Sequence, residues 1–212
     1  MKFRVIVVLS SILLNAALIF GQENILEQGE FRSIVEKAGR NLYGKTYRTI
    51  NTYETLDARI TVPEKSVKIV TERISPDRFR RIEESNGQQV EIIRVGENRY
   101  IRENDGEWKE ESGSGIIERT GCGALVESAV YKVIENSDLD GKTVDLYEMT
   151  KKLNDQSCGD NGKFESIGRY WISKDGLLLK TEEIYEDVEK TSLKRKVTIY
   201  EHDPNIKIES PI

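Results

Sequence analysis

Asx-Gly pairs punctuate this chain: Asn86-Gly87, Asp105-Gly106, Asp140-Gly141, Asn161-Gly162 and Asp175-Gly176, with Gly96-Glu97-Asn98 as a further turn. Such pairs favour the primed turns of two-residue hairpins, because both central residues need positive φ. Between them lie short runs rich in Val, Ile, Thr and Tyr. Five precede a break at residues 111–128: Ser66–Ile74, Arg78–Glu84, Gln89–Val95, Arg99–Glu103 and Glu107–Glu110. Five follow it: Tyr131–Glu135, Thr143–Thr150, Lys163–Ser173, Leu177–Tyr185 and Ser192–Glu201. Turns about ten residues apart predict an antiparallel meander. No strand–helix alternation appears, which argues against a parallel sheet.

Alternation within the runs is partial. Leu193, Val197 and Ile199 share one phase, while Lys194, Lys196 and Thr198 share the other. Val144 and Leu146 alternate with Thr143, Asp145 and Tyr147. The expectation is a sheet with one apolar and one wet face. Its apolar face must curl or be capped. Residues 23–42 supply a cap: Phe31, Ile34, Val35, Ala38 and Leu42 recur at helical steps, and Gly44 is a plausible stop.

The start of the chain reads as a secretory signal over residues 1–21, followed by one domain over 22–212. Lys2 and Arg4 precede an apolar run, Val5–Phe20, interrupted by Ser10, Ser11 and Asn15, and Gly21 is small enough for a cleavage site. The alternative is a membrane anchor, but a spanning helix needs about 20 apolar residues. No Cys stands near the cut to carry a lipid, so the exported chain is expected to be soluble. The remaining residues, about 190, fit one domain.

The formal charge of −5 makes the chain a poor candidate for nucleic acid, whose phosphates demand a basic surface. Two cysteines, Cys122 and Cys158, are expected to pair in an oxidising compartment. In the chain-entropy model, closing that loop of about 37 residues contributes about 4 kcal/mol. Glu111–Gly115 has the composition of a flexible loop.

Motifs for catalysis are weak. His202, the single histidine, stands in Glu201-His202-Asp203-Pro204, which reads as a polar strand end running into a turn. No G-x-S-x-G elbow accompanies it. Asn136–Gly141 begins like a calcium loop, but the twelfth position is Tyr147 rather than Glu. Asp140-Gly141 is therefore read as a hairpin turn. No metal site, cofactor or catalytic residue is assigned, and the chain is read as a non-enzyme. A hydrolase with scattered acidic residues stays as a lesser alternative, since two catalytic carboxylates need only spatial proximity.

Three segments carry a family resemblance. Tyr170-Trp-Ile-Ser-Lys-Asp-Gly-Leu-Leu-Leu-Lys-Thr-Glu182 resembles a hairpin of the LolA-like superfamily of periplasmic lipid- and lipoprotein-binding proteins, which includes RseB-type sensors. Asp203–Pro211 resembles that family's terminal strand, and Asp140-Gly-Lys-Thr-Val144 the turn into a preceding strand. The resemblance implies a mainly β fold: a half-open antiparallel β-barrel of roughly ten strands, with the amino-terminal amphipathic helix covering its concave face. It also implies a soluble periplasmic carrier or chaperone for a lipid or acylated lipoprotein, serving membrane-associated donor and acceptor proteins. A non-carrier envelope sensor on the same fold is the alternative. Strand phase alone nominates Val90, Ile92, Val144, Leu146, Ile167, Trp171, Leu179, Val197 and Ile199 as inward residues that contact an acyl chain or simply fill a core.

Overall fold

The computed structural model describes residues 23–57, 65–111, 125–155, 162–187 and 192–212. The signal stretch, residues 112–115 of the flexible loop, and both Cys122 and Cys158 lie outside the described residues.

In chain order the elements are β1 (Glu23–Ile25), α1 (Gln28–Arg40), β2 (Tyr47–Asp57), β3 (Lys65–Ser75), β4 (Arg78–Ser85), β5 (Gln88–Val95), β6 (Asn98–Glu103), β7 (Lys109–Glu111), β8 (Leu125–Leu139), β9 (Lys142–Asp155), β10 (Gly162–Ser173), β11 (Leu178–Asp187) and β12 (Ser192–His202). All strands join one antiparallel sheet in the order β1-β8-β9-β10-β11-β12-β2-β3-β4-β5-β6-β7. Two meanders, β2–β7 and β8–β12, meet where β12 pairs with β2 from Ser192↔Asp57 to His202↔Tyr47. β1 and β7 are the two edges and do not pair with each other, so the barrel stays half open.

The turns follow the expected chemistry. Asn86 and Gly87 have φ of 52° and 76°, and Asp140 and Gly141 have 52° and 79°, the paired positive values of a primed turn. The calcium-like segment is thus a hairpin. At Asp105-Gly106 the positive φ falls one residue earlier, on Asn104.

The expected helix over 23–42 is shorter and is preceded by a strand. Every residue of its apolar stripe lies at or after Phe31, so residues 23–25 owe nothing to helical packing and pair instead with β8, Ile25 against Lys132. Topology explains where α1 lies. β1 is at one edge and β2 is six strand spacings away, roughly 29 Å. The 13-residue helix spans about 20 Å of that crossing, and short linkers supply the rest. α1 therefore crosses the face of β8–β12.

Residues paired across an antiparallel ladder share a face, so the register sorts the side chains. On one face Phe31, Ile34 and Ala38 of α1, with Leu42 just beyond it, pack on β8–β12, around Ile172 and Leu178. On the opposite face of the other arm, Ile206 and Ile208 of the carboxy-terminal segment pack against Ile93 and Tyr100, beside Trp108. The expectation of one apolar and one wet face is corrected: each face has an apolar core, on opposite arms of the sheet. The segment 203–211 is corrected as well. It forms no strand, because Ile208, 4% exposed, is committed to covering β5 and β6 rather than to a ladder.

Candidate functional site

The helix side of the sheet divides into a covered and an uncovered arm. Under α1, Phe31 is 4% exposed and its ring centroid lies 5.0 Å from Tyr131, 5.9 Å from Tyr170 and 6.5 Å from Tyr147. Burial pushes the phenols of Tyr147, Tyr170 and Tyr200 above their ordinary range, so they stay neutral. Gly168 makes room for this cluster. A Cβ there would stand 3.1 Å from Met149 Cε and 3.3 Å from the Tyr170 ring. The carboxy-terminal end of α1 is tied to the β10–β11 turn, where Asn41 Nδ2 donates to the Gly176 carbonyl at 2.9 Å.

On the uncovered arm, the ladders align Ile69 with Glu83 and Val90, and Ile92 with Ile101. These isoleucines and Val90 are half-buried. Among the described residues no helix or strand packs over them, since every strand lies in the one sheet and α1 lies on the other arm. Two clefts mark the ends of α1. One, about 680 Å³, opens beside Ile25, Leu26, Val126, Ala129 and Val130 at the β1–β8 edge. The other, about 380 Å³, lies between Arg40, Leu42 and Tyr43 of the helix end and Tyr47 and Arg73 of β2 and β3. Each volume falls within the general range for small-molecule sites.

The opposite face is built differently. One ladder of ion pairs runs Glu148–Arg169–Glu182–Arg195–Glu54, at 2.8, 3.0, 2.7 and 3.3 Å. A second runs Glu201–Arg48–Glu72–Arg80–Glu91–Arg102. Between them, cross-strand register places Leu146, Trp171, Ile199, Ile50, Val70 and Ile82 in one row, interrupted by Lys180. Burial opposes ionisation of Glu182, but hydrogen bonds from Arg169 and Arg195 outweigh it and hold its carboxyl below the usual range. A general acid needs the reverse shift.

This depressed value has a pH consequence. Glu182 contributes stability that is fully present above the ordinary glutamate range, near 4.5, and is lost as pH falls through its lower folded value. Urea midpoints measured from pH 6 down to pH 3 should fall less steeply for Glu182→Gln than for the parent chain.

The nominated residues fall into separate groups. Val90 and Ile92 lie on the uncovered arm of the helix side, beside Ile69 and Ile101, which phase alone did not single out. Leu146, Ile167, Trp171, Val197 and Ile199 lie on the opposite face. Trp171 there carries the Lys180 ammonium 4.6 Å from its ring centroid. Val144 is completely buried across from Ser137 and Ser173. Leu179 sits at a bulge, opposite no β10 residue. His202 ends β12, and both its ring nitrogens are buried without a hydrogen-bond partner among the described residues. No described helix is long and apolar enough to cross a membrane.

An open antiparallel sheet with an amino-terminal helix laid across one face is the architecture implied by the sequence resemblance. No family model and no curated protein matches the chain. Among solved structures it is similar to LprF from Mycobacterium bovis, at 10% identity and a TM-score of 0.47, covering 87% of this chain and 98% of that one. It is also similar to a LolA superfamily protein from Nitrosomonas europaea, at 14% identity and a TM-score of 0.31, over 84% and 94% of the two chains. A DUF1329 family protein from Desulfovibrio piger matches over the same shares at 9% identity and a TM-score of 0.31.

Proposed function

We propose that this protein is an exported, soluble carrier or chaperone that holds the acyl chain of a lipid or lipoprotein without covalent attachment, on the helix side of its half-open sheet. One observation carries this reading. α1 covers only the β8–β12 arm, and the β3–β6 arm beside it presents Ile69, Val90, Ile92 and Ile101 uncovered by any described element. A chain laid there gains about 0.8 kcal/mol per buried methylene. Membrane-associated donor and acceptor proteins are the partners such a carrier needs.

Native mass spectrometry of protein purified from its own envelope fraction tests the reading, followed by titration with palmitate and an acylated lipopeptide. Co-purified lipid, or saturable binding of either probe, is expected. A ligand-free protein that ignores both probes sinks it. The two faces are separable by substitution. Ile92→Glu should weaken palmitate binding about tenfold or more by placing a charge where apolar burial is needed. Trp171→Glu, on the opposite face, should leave binding unchanged. Circular dichroism of both variants confirms that each still folds.

A further inference from the structure

Arg73, like Arg78, stands apart from the glutamate-paired arginines of the sheet. Arg48, Arg80, Arg102, Arg169 and Arg195 are each committed to one or two glutamates. Arg73 has no carboxylate or carbonyl partner among the described residues, and its recorded contact is with the Phe79 ring, 5.7 Å from the centroid. It lines the 380 Å³ cleft at the end of α1 together with Arg40, Tyr43 and Tyr47. Two guanidiniums and two phenols supply donors suited to an oxyanion. Glu36 also lines this cleft, but Arg32 holds its carboxylate at 2.6 Å, and Arg40 approaches it only to 3.4 Å. The negative end of the helix dipole points here too. The carbonyls of Lys37, Gly39 and Arg40 are already engaged by the amides of Asn41, Leu42 and Tyr43, and Lys37 and Arg40 offset the charge.

The position of this cleft gives it meaning. Tyr47, Arg73 and Phe79 form one cross-strand row. Two residues further along the same strands, the next row on that face runs from Thr71 through Arg81 to Ile92 and Ile101. A cationic pocket therefore borders the uncovered apolar surface, in a chain whose overall charge is −5.

We propose that this cleft is a headgroup site, taking the phosphate or carboxylate of an anionic amphiphile whose chain lies over Ile69, Ile92 and Ile101. The proposal rests on the acyl-binding reading and narrows it to anionic ligands. Arg73 and Arg40 grip the anion, and Tyr43 and Tyr47 donate from the flank.

Calorimetric titration of the mature chain below micellar concentrations tests it with three probes: 1-palmitoyl lysophosphatidate, 1-monopalmitoylglycerol and inorganic phosphate. At low salt the lysophosphatidate should bind at least about tenfold more tightly than the glyceride, because charge-assisted hydrogen bonds form only with the anion. That preference should shrink in Arg73→Ala and in Arg40→Ala, with glyceride affinity unchanged, and be partly kept in Arg73→Lys. Raising the salt should erode it, which a merely structural arginine would not produce. Arg40 is largely exposed, so its variant keeps the test sound if Arg73→Ala folds poorly. Equal binding of both lipids, or a preference that survives both alanine variants, overturns the headgroup site and leaves the carrier reading standing. Phosphate binding as tightly as lysophosphatidate overturns the assignment to an amphiphile. Failure of both lipids to bind removes the carrier reading and this site with it.

Discussion

Replacing Phe31 by alanine is expected to lower the free energy of unfolding by about 3–5 kcal/mol. Phe31 is the largest side chain that α1 buries against the sheet, 4% exposed and ringed by Tyr131, Tyr147 and Tyr170. Those tyrosines stand on three adjacent strands whose ladders fix their spacing. They cannot close over the void, so the cavity persists and its cost adds to the lost transfer energy. Each aromatic pair removed adds about 0.5–1.5 kcal/mol beyond area. For a chain of this size that is a melting-temperature drop of about 10 °C. Urea denaturation followed by far-ultraviolet dichroism measures it. Arg32→Ala, one residue along on the exposed side of the helix, should leave the midpoint where it was. A loss below about 1 kcal/mol for Phe31→Ala would show that α1 does not dock on the sheet in solution.

The second large effect is expected at Glu91. Its side chain is 2% exposed and is gripped by Arg80 at 2.6 Å and Arg102 at 2.6 Å. Glu91→Gln keeps the shape and removes the charge, leaving two guanidiniums without their shared counter-ion. Removing one member of a buried pair costs roughly 3–5 kcal/mol. Arg80 and Arg102 are themselves 38% and 30% exposed and can turn towards water, so the lower end, about 3 kcal/mol, is expected. Glu83→Gln is the control. Its pair with Arg81, at 2.8 Å, is half-exposed on both sides and should cost no more than about 1 kcal/mol. Added salt should shrink the Glu83 effect and spare that of Glu91.

Glu91 also shows where sequence reasoning stopped. In β5 the alternation Val90, Glu91, Ile92, Ile93 contains apolar residues in both phases, so it marks two faces without saying which is covered. Placing a glutamate inward requires knowing that Arg80 and Arg102 stand beside it, which only register gives. The hairpins were legible because Asn86-Gly87 and Asp140-Gly141 encode their own backbone geometry. β2 was not singled out, since no Gly punctuates Tyr47–Asp57 and its partner β12 lies at the far end of the chain. Trp171 and Ile199 looked like pocket residues for the same reason. Their phase is regular, but the helix that defines the covered side packs on the alternate residues Tyr170 and Tyr200.

The seam between the two meanders has a consequence for how the chain reaches this state. β2 is bordered by β3 on one side and by β12 on the other, so its second neighbour is the last of the described strands in chain order. Thr198 Oγ1 reaches Asn51 Oδ1 at 2.7 Å across 147 positions of sequence. The β2–β7 meander can assemble from local hairpins, but the β2 edge then waits, unpaired, until Ser192–His202 arrives. Closure over so long a loop is a slow step, and an open strand edge in the interval invites pairing with other chains. A chain stopped short of residue 192 would thus leave that edge permanently bare and be prone to aggregate. Completion of the sheet therefore waits on β12, which follows every other described strand in the chain.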